Sequence, residues 1–180
     1  DTLRATQWAQ PAIGVTSLSL LGMLKALGVS ADAVAGHSFG EVTALHAAGV
    51  LTESDLLRVA RRRGELMAEA SDQPGAMTSV SADLQSVKEV LASLDREDVC
   101  IANHNAPAQV VISGTLQGIE AAETKMGASS MSFTRLQVAT AFHSPVVAGS
   151  VEPFGEFLSD VDFSESDIAV WSGEAAALYE

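Results

Sequence analysis

One cysteine, Cys100, in 180 residues leaves no pair for an internal disulfide and no thiolate set for a metal cluster. A chain without disulfides suits a reducing compartment, so a cytoplasmic location is expected. Basic residues are scarce: 10 Lys and Arg stand against 23 Asp and Glu, for a formal charge of -13. Such a surface repels phosphate backbones and anionic lipid, which argues against nucleic acid or a membrane as partner. No stretch reaches the apolar length of a membrane span, and the N-terminus has no signal-peptide pattern. What the chain does have is apolar mass. At 47% hydrophobic and 18% charged it can bury a sizeable core, as one domain or one domain with a small inserted subdomain. Its few cations are clustered, with Arg58, Arg61, Arg62 and Arg63 forming a local positive patch on an acidic body.

The spacing of Leu20, Leu21, Leu24 and Leu27 predicts a helix over Ala12–Leu27, with Pro11 at its first position and Gly28 as its stop. Ala31–Ala35 reads as a short buried strand, and a helix through Val42, Leu45 and Ala48 to Gly49 follows. Thr52 and Asp55 resemble a capping box opening a helix to about Ala70. Ser71-Asp72-Gln73-Pro74-Gly75 breaks the pattern. Beyond it come a strand at Ala76–Val80, a helix at Leu84–Leu94 and strands at Val99–Ala102 and Gln109–Ser113. Asn103-His104-Asn105-Ala106-Pro107 is expected to be the turn between that last pair. A helix at Leu116–Met126 and an extended run at Met131–Val138 complete a βαββαβ order, the ferredoxin-like motif. The expected architecture is α/β: a body of residues 1–74 and 139–180, with an α+β subdomain at 75–138 inserted in it.

Between the first strand and its helix lies Gly36-His37-Ser38-Phe39-Gly40, a Gly-x-Ser-x-Gly pentad. A strand that turns sharply into a helix leaves the central serine on a strained bend, its hydroxyl exposed beside the next backbone N–H. Small residues are expected at Gly36 and Gly40 because strand and helix backbones nearly touch there. A serine nucleophile needs a general base. Of the four histidines, His37 is adjacent to the serine and should point away from it. His46 lies along the elbow helix in a structural position, and His104 lies in the expected subdomain turn. His143, in Thr140-Ala141-Phe142-His143-Ser144-Pro145, sits where the chain returns to the body, and a satisfied loop histidine is the alternative reading for it.

Gly36-His37-Ser38-Phe39-Gly40-Glu41, Arg63-Gly64 with Met67, Gly75-Ala76-Met77, Asn103 to Gly114 and Ala141-Phe142-His143-Ser144-Pro145 occur in that order. Together they resemble the acyltransferase domains of malonyl-CoA:acyl-carrier-protein transacylases and of polyketide and polyunsaturated-fatty-acid synthases. The likeness runs from Thr6-Gln7-Trp8-Ala9-Gln10-Pro11 to Val170-Trp171-Ser172, and implies an α/β-hydrolase-like body with a nucleophile elbow.

It implies that Ser38 is the acylated nucleophile, His143 its base and the Phe39 backbone N–H an oxyanion donor. Arg63 would grip the free carboxylate of a malonyl group with its planar fork. By composition alone Arg63 reads as a solvated helix charge beside Arg61 and Arg62. Phe142, in an Ala-Phe-His run, would fill the space of a substrate α-methyl and so favour malonyl over methylmalonyl. Phe39, in place of a glutamine after the nucleophile, points the same way. Gln10, Asn103 and Asn105 would line the cleft, or serve as ordinary turn and cap residues. The resemblance implies malonyl-CoA as substrate, an acyl carrier protein and neighbouring synthase domains as partners, and no bound cofactor, phosphopantetheine belonging to the carrier.

Members of the family begin with a strand and a Gly-Gln-Gly-x-Gln-type loop whose glutamine supplies a second oxyanion donor, and they continue beyond this C-terminus. The body is therefore expected to be truncated at both ends. Two other functions fit parts of the sequence. A serine thioesterase or hydrolase would use the same pentad, with an acidic residue between serine and histidine and no need of Arg63. A non-catalytic scaffold fragment would keep the motifs while its open sheet edge self-associates.

Overall fold

The computed structural model describes residues 2–71, 73–138, 140–166 and 168–179. Asp72, in the expected break, and Ala139, at the expected domain boundary, lie outside the described residues. In chain order the first elements are α1 (Thr6–Ala26), β1 (Ala33–Ala35), α2 (Gly40–Ala47), α3 (Glu53–Ala70), β2 (Gly75–Ser81) and α4 (Leu84–Ala92). They are followed by β3 (Val99–Ala106), β4 (Gln109–Thr115), α5 (Leu116–Ala128), β5 (Ser132–Arg135), α6 (Val151–Leu158), β6 (Ala169–Ser172) and β7 (Ala177–Leu178). Two compact units emerge: residues 1–66 with 153–180, and residues 67–152. The fold is α/β, and among the described residues no helix is long and apolar enough to cross a membrane.

In the first unit β1 pairs in parallel with β6, Val34 opposite Val170, and β6 pairs antiparallel with β7. Leu51, Val59 and Val161 form its buried cluster, against which Phe154 and Phe157 pack. The sequence expectations need amending at α1. This helix opens at Thr6, so Pro11 lies inside it and not at its first position. The proline ring removes one ladder bond, to the Gln7 carbonyl, near the helix start. Leu20, Leu24 and Leu27, whose spacing announced the helix, are exposed. Gly28 does stop it: at φ 78° its N–H donates to Lys25 O, while Val29 N–H reaches Leu24 O. At α3 Thr52 caps as expected, its Oγ1 accepting from Asp55 N–H at 3.1 Å. The shorter aspartate carboxylate accepts from the Thr52 hydroxyl at 2.6 Å.

The second unit holds the βαββαβ order in a sheet β3-β4-β2-β5, with every pairing antiparallel. Val80, Val87, Ile112, Ile119 and Met126 are fully buried between the sheet and its two helices. Asp83 caps α4 and Thr115 caps α5, each side chain accepting a backbone N–H at 3.0 Å. Asn103-His104-Asn105 is not the expected turn. These residues extend β3, whose pairing to β4 slips between Ile101 and Asn103 and again between His104 and Ala106. The bulges absorb the extra residues, and the reversal shrinks to Pro107-Ala108.

Candidate functional site

β1 ends at Ala35, α2 begins at Gly40, and the chain reverses between them in the manner of a nucleophile elbow. Ser38 carries φ 54°, in the left-handed region that non-glycine residues rarely occupy. The turn is closed by Gly40 N–H to His37 O at 2.9 Å and Glu41 N–H to Ser38 O at 3.0 Å. A Cβ on Gly36 would fall onto the backbone of Gly40 and Glu41, so only glycine fits. Gly40 is different from expectation: a Cβ there meets nothing within 4 Å. The close approach is one-sided, since Gly36 abuts the helix backbone while the Cβ direction of Gly40 points elsewhere. The Phe39 N–H meets no acceptor among the described residues, as an oxyanion donor requires. Its ring is buried against α1, where a Cβ on Gly14 would stand 3.5 Å from it.

Arg63 reaches this turn from α3. Its Nη2 lies 3.4 Å from Ser38 Oγ, and its Nη1 donates to Gln10 Oε1 at 2.8 Å. Burial lowers the guanidinium's pKa from its ordinary value, and the nearby charge of Glu41 offsets part of that shift. Glu41 in turn accepts from the Tyr179 hydroxyl at 2.6 Å, a bond that raises the phenol pKa. The remaining cations of the expected patch are spent on carboxylates. Arg58 bonds Asp55 at 2.7 Å, and Arg61 and Arg62 share Glu65 at 2.5 and 3.8 Å. Arg61 also stacks over Trp8, 4.5 Å from the ring centre. Among the described residues Arg63 touches no carboxylate, so its two partners are neutral oxygens.

Ser38, Phe39, Gln10 and Arg63 thus converge within the first unit. Asn105, Phe142 and His143 belong to the second. There His143 also takes a positive φ, 56°, and its side chain is exposed. Its backbone carbonyl accepts from Cys100 Sγ at 3.4 Å, and burial keeps that thiol protonated by raising its pKa. Ser144 Oγ donates to Ala141 O at 2.7 Å and accepts from Val146 N–H at 3.2 Å, opening a 3-10 turn over Pro145–Ser150. Phe142 is half-buried; Asn105 is exposed at the end of β3. A Cβ on Gly75 would press to 2.5 Å of the Ala141 side chain, so this glycine lets β2 lie against the histidine segment.

Sequence reasoning missed Cys100, Ser144 and Thr6 as supports. The serine before Pro145 was the one available signal, as a helix-capping residue ahead of a proline. His46 is structural as expected: its Nδ1 lies 2.9 Å from Leu51 O and donates to it.

Residues 1–176 match the family described as acyl transferase domain. The malonyl CoA-acyl carrier protein transacylase of Bacillus subtilis (strain 168) is 37% identical over 98% of this chain and 57% of its own length. Polyketide synthase GfsA of Streptomyces halstedii is 35% identical over 99% of this chain and 2% of its own. The crystal structure of malonyl CoA-acyl carrier protein transacylase from Clostridium perfringens superposes with a TM-score of 0.94 at 29% identity, over 99% of this chain and 57% of that one. The chain therefore spans just over half the length of these transacylases, and a small part of the synthase.

Proposed function

This chain belongs to the acyl transferase domain family, and we propose that it moves malonyl groups from malonyl-CoA to the phosphopantetheine thiol of an acyl carrier protein in polyketide or fatty-acid synthesis. His143 takes the Ser38 proton as Oγ attacks the thioester carbonyl. The tetrahedral oxyanion accepts from the Phe39 N–H. Its collapse breaks the C–S bond, and the imidazolium proton passes to the departing CoA thiolate, leaving malonyl on Ser38. The carrier thiol then gives its proton to His143 and attacks the acyl ester. The C–Oγ bond breaks and Oγ regains the proton. Arg63 holds the malonyl carboxylate through both halves, and exclusion of water keeps the acyl-enzyme from hydrolysis.

Phe142 limits room for an α-methyl, a preference worth about 1–3 kcal/mol, and Asn105 borders the substrate. On this reading residues 75–138 are an insert in a body of 1–74 and 139–180. The phosphopantetheine arm is supplied by the carrier, neighbouring synthase domains are partners, and the reaction runs in the cytoplasm.

The observation that carries the reading is Arg63 itself: a half-buried cation whose hydrogen-bond partners among the described residues are neutral oxygens, beside a serine held at positive φ. Intact mass after brief incubation with malonyl-, acetyl- and methylmalonyl-CoA tests it. A malonyl adduct that disappears in Ser38→Ala supports transfer chemistry. Release of free malonate with no transfer to a carrier thiol would make the chain a hydrolase instead.

A further inference from the structure

Gln10 is 5% exposed and accepts from Arg63 Nη1 at 2.8 Å. We infer that Gln10 is a positioning residue that selects carboxylated acyl groups by acting through Arg63, an inference that rests on the function proposed above. A guanidinium has only donors, so the amide must turn its oxygen toward Arg63. Its nitrogen then needs an acceptor, and Nε2 donates to the buried Thr6 Oγ1 at 2.7 Å. Thr6 thereby anchors the end of the amide that the arginine does not take.

The two helices approach closely enough for this because residue 64 is glycine. A Cβ there would come within 2.6 Å of the Thr6 carbonyl oxygen. Thr6, Gln10, Arg63 and Gly64 thus form one joint between α1 and α3, and its outer end is the nucleophile.

The chemistry of residue 10 matters as much as its reach. The other arginines of α3 near Arg63, namely Arg58, Arg61 and Arg62, all rest on carboxylates. A glutamate at position 10 would make a stronger, charge-assisted bond to Arg63. It would also neutralise the cation before a substrate carboxylate arrived. A neutral amide orients the fork and leaves its charge for the acyl group. Discrimination between malonyl and acetyl therefore depends on an amide that touches neither.

The test compares Gln10→Glu, Gln10→Met, Thr6→Val and Thr6→Ser with the unaltered chain and Arg63→Ala. Adduct formation from malonyl-CoA and acetyl-CoA gives a kcat/KM ratio, and calorimetry with free malonate gives binding without turnover. Gln10→Glu should lower the malonyl-to-acetyl ratio and malonate affinity about tenfold or more, chiefly through KM. Gln10→Met should lower both less. Thr6→Val should also reduce the ratio, and Thr6→Ser, which keeps the hydroxyl, should restore it. If Gln10→Glu keeps the unaltered ratio and affinity while Arg63→Ala loses both, the positioning role is wrong and the proposed function stands. If the unaltered chain shows neither malonyl preference nor malonate binding, the function itself falls and this role with it.

Discussion

The guanidinium of Arg63 and the hydroxyl of Ser38 stand 3.4 Å apart, one carried by a long helix and the other by a strained turn. A diacid held by Arg63 can present its thioester to Ser38 only if few bonds separate the two ends. Malonyl has a single methylene there. On the proposed function, the separation should select chain length as well as charge.

Arg63→Ala should reduce acylation by malonyl-CoA on the order of a hundredfold, the loss of a hydrogen-bonded charge pair, and that by acetyl-CoA much less. Arg63→Lys should fall between, since an ammonium lacks the planar fork. Succinyl- and glutaryl-CoA should acylate the unaltered chain more slowly than malonyl-CoA. Equal rates for all three diacids would show that the separation does not set length.

The two glycines of the pentad should behave oppositely. Gly36→Ala drives a methyl into the backbone of Gly40 and Glu41, and should cost about 3 kcal/mol or more, or prevent folding. Gly40→Ala enters open space at the first residue of α2 and should be neutral or stabilising by up to about 1 kcal/mol. Urea denaturation of both variants decides this.

Ser144→Ala should loosen the segment carrying His143. Its hydroxyl ties Ala141 O to Val146 N–H, and its loss should cost about 1 kcal/mol. Amide hydrogen exchange should quicken over Pro145–Ser150. Acylation of Ser38 should slow while malonate affinity holds, because Arg63 is untouched. Unchanged exchange would show that Ser144 does not hold the turn.

Asp98 should make part of the stability depend on acid. The Arg96 guanidinium and the Thr115 hydroxyl hold its carboxyl down to about 2, from an ordinary 3.8. A lowered carboxylate pKa gives stability that is fully present above the unfolded value and lost as pH falls through the folded one. The contribution should therefore be whole above about pH 5 and fade between pH 4 and 2. Because the side chain is 31% exposed, solvent screening holds it to about 1 kcal/mol. Asp98→Ala should lose that amount at pH 7 and converge with the unaltered chain near pH 2, read from urea midpoints at each pH.

Much of this was legible where the physics is local. The pentad, the glycine stops at Gly28 and Gly49, and the alternation of strands and helices after Gly75 depend on residues a few places apart. Pro11 misled because a proline often opens a helix, whereas here the helix already starts at Thr6, with the Ala5 carbonyl accepting from the Trp8 and Ala9 N–H groups. Asn103-His104-Asn105 has turn composition, yet two bulges fold it into β3. The arginine run shows the limit best. Arg61, Arg62 and Arg63 are equivalent in composition, and only the helical phase of α3 against α1 sets the last apart. Its partner Gln10 lies 53 positions away, beyond any local pattern.

The parallel pairing of β1 with β6 also has a consequence in time. β1 is made early, and its partner strand comes near the opposite end of the sequence. The ferredoxin-like unit, contiguous from 67 to 152, is complete before β6 exists. At a synthesis rate of about 5–20 residues per second, the elbow strand waits on the order of ten seconds for its neighbour. The elbow strand therefore gains its parallel neighbour only after the second unit is finished, and on the proposed function a ribosome-bound intermediate carries that unit before it carries an ordered nucleophile.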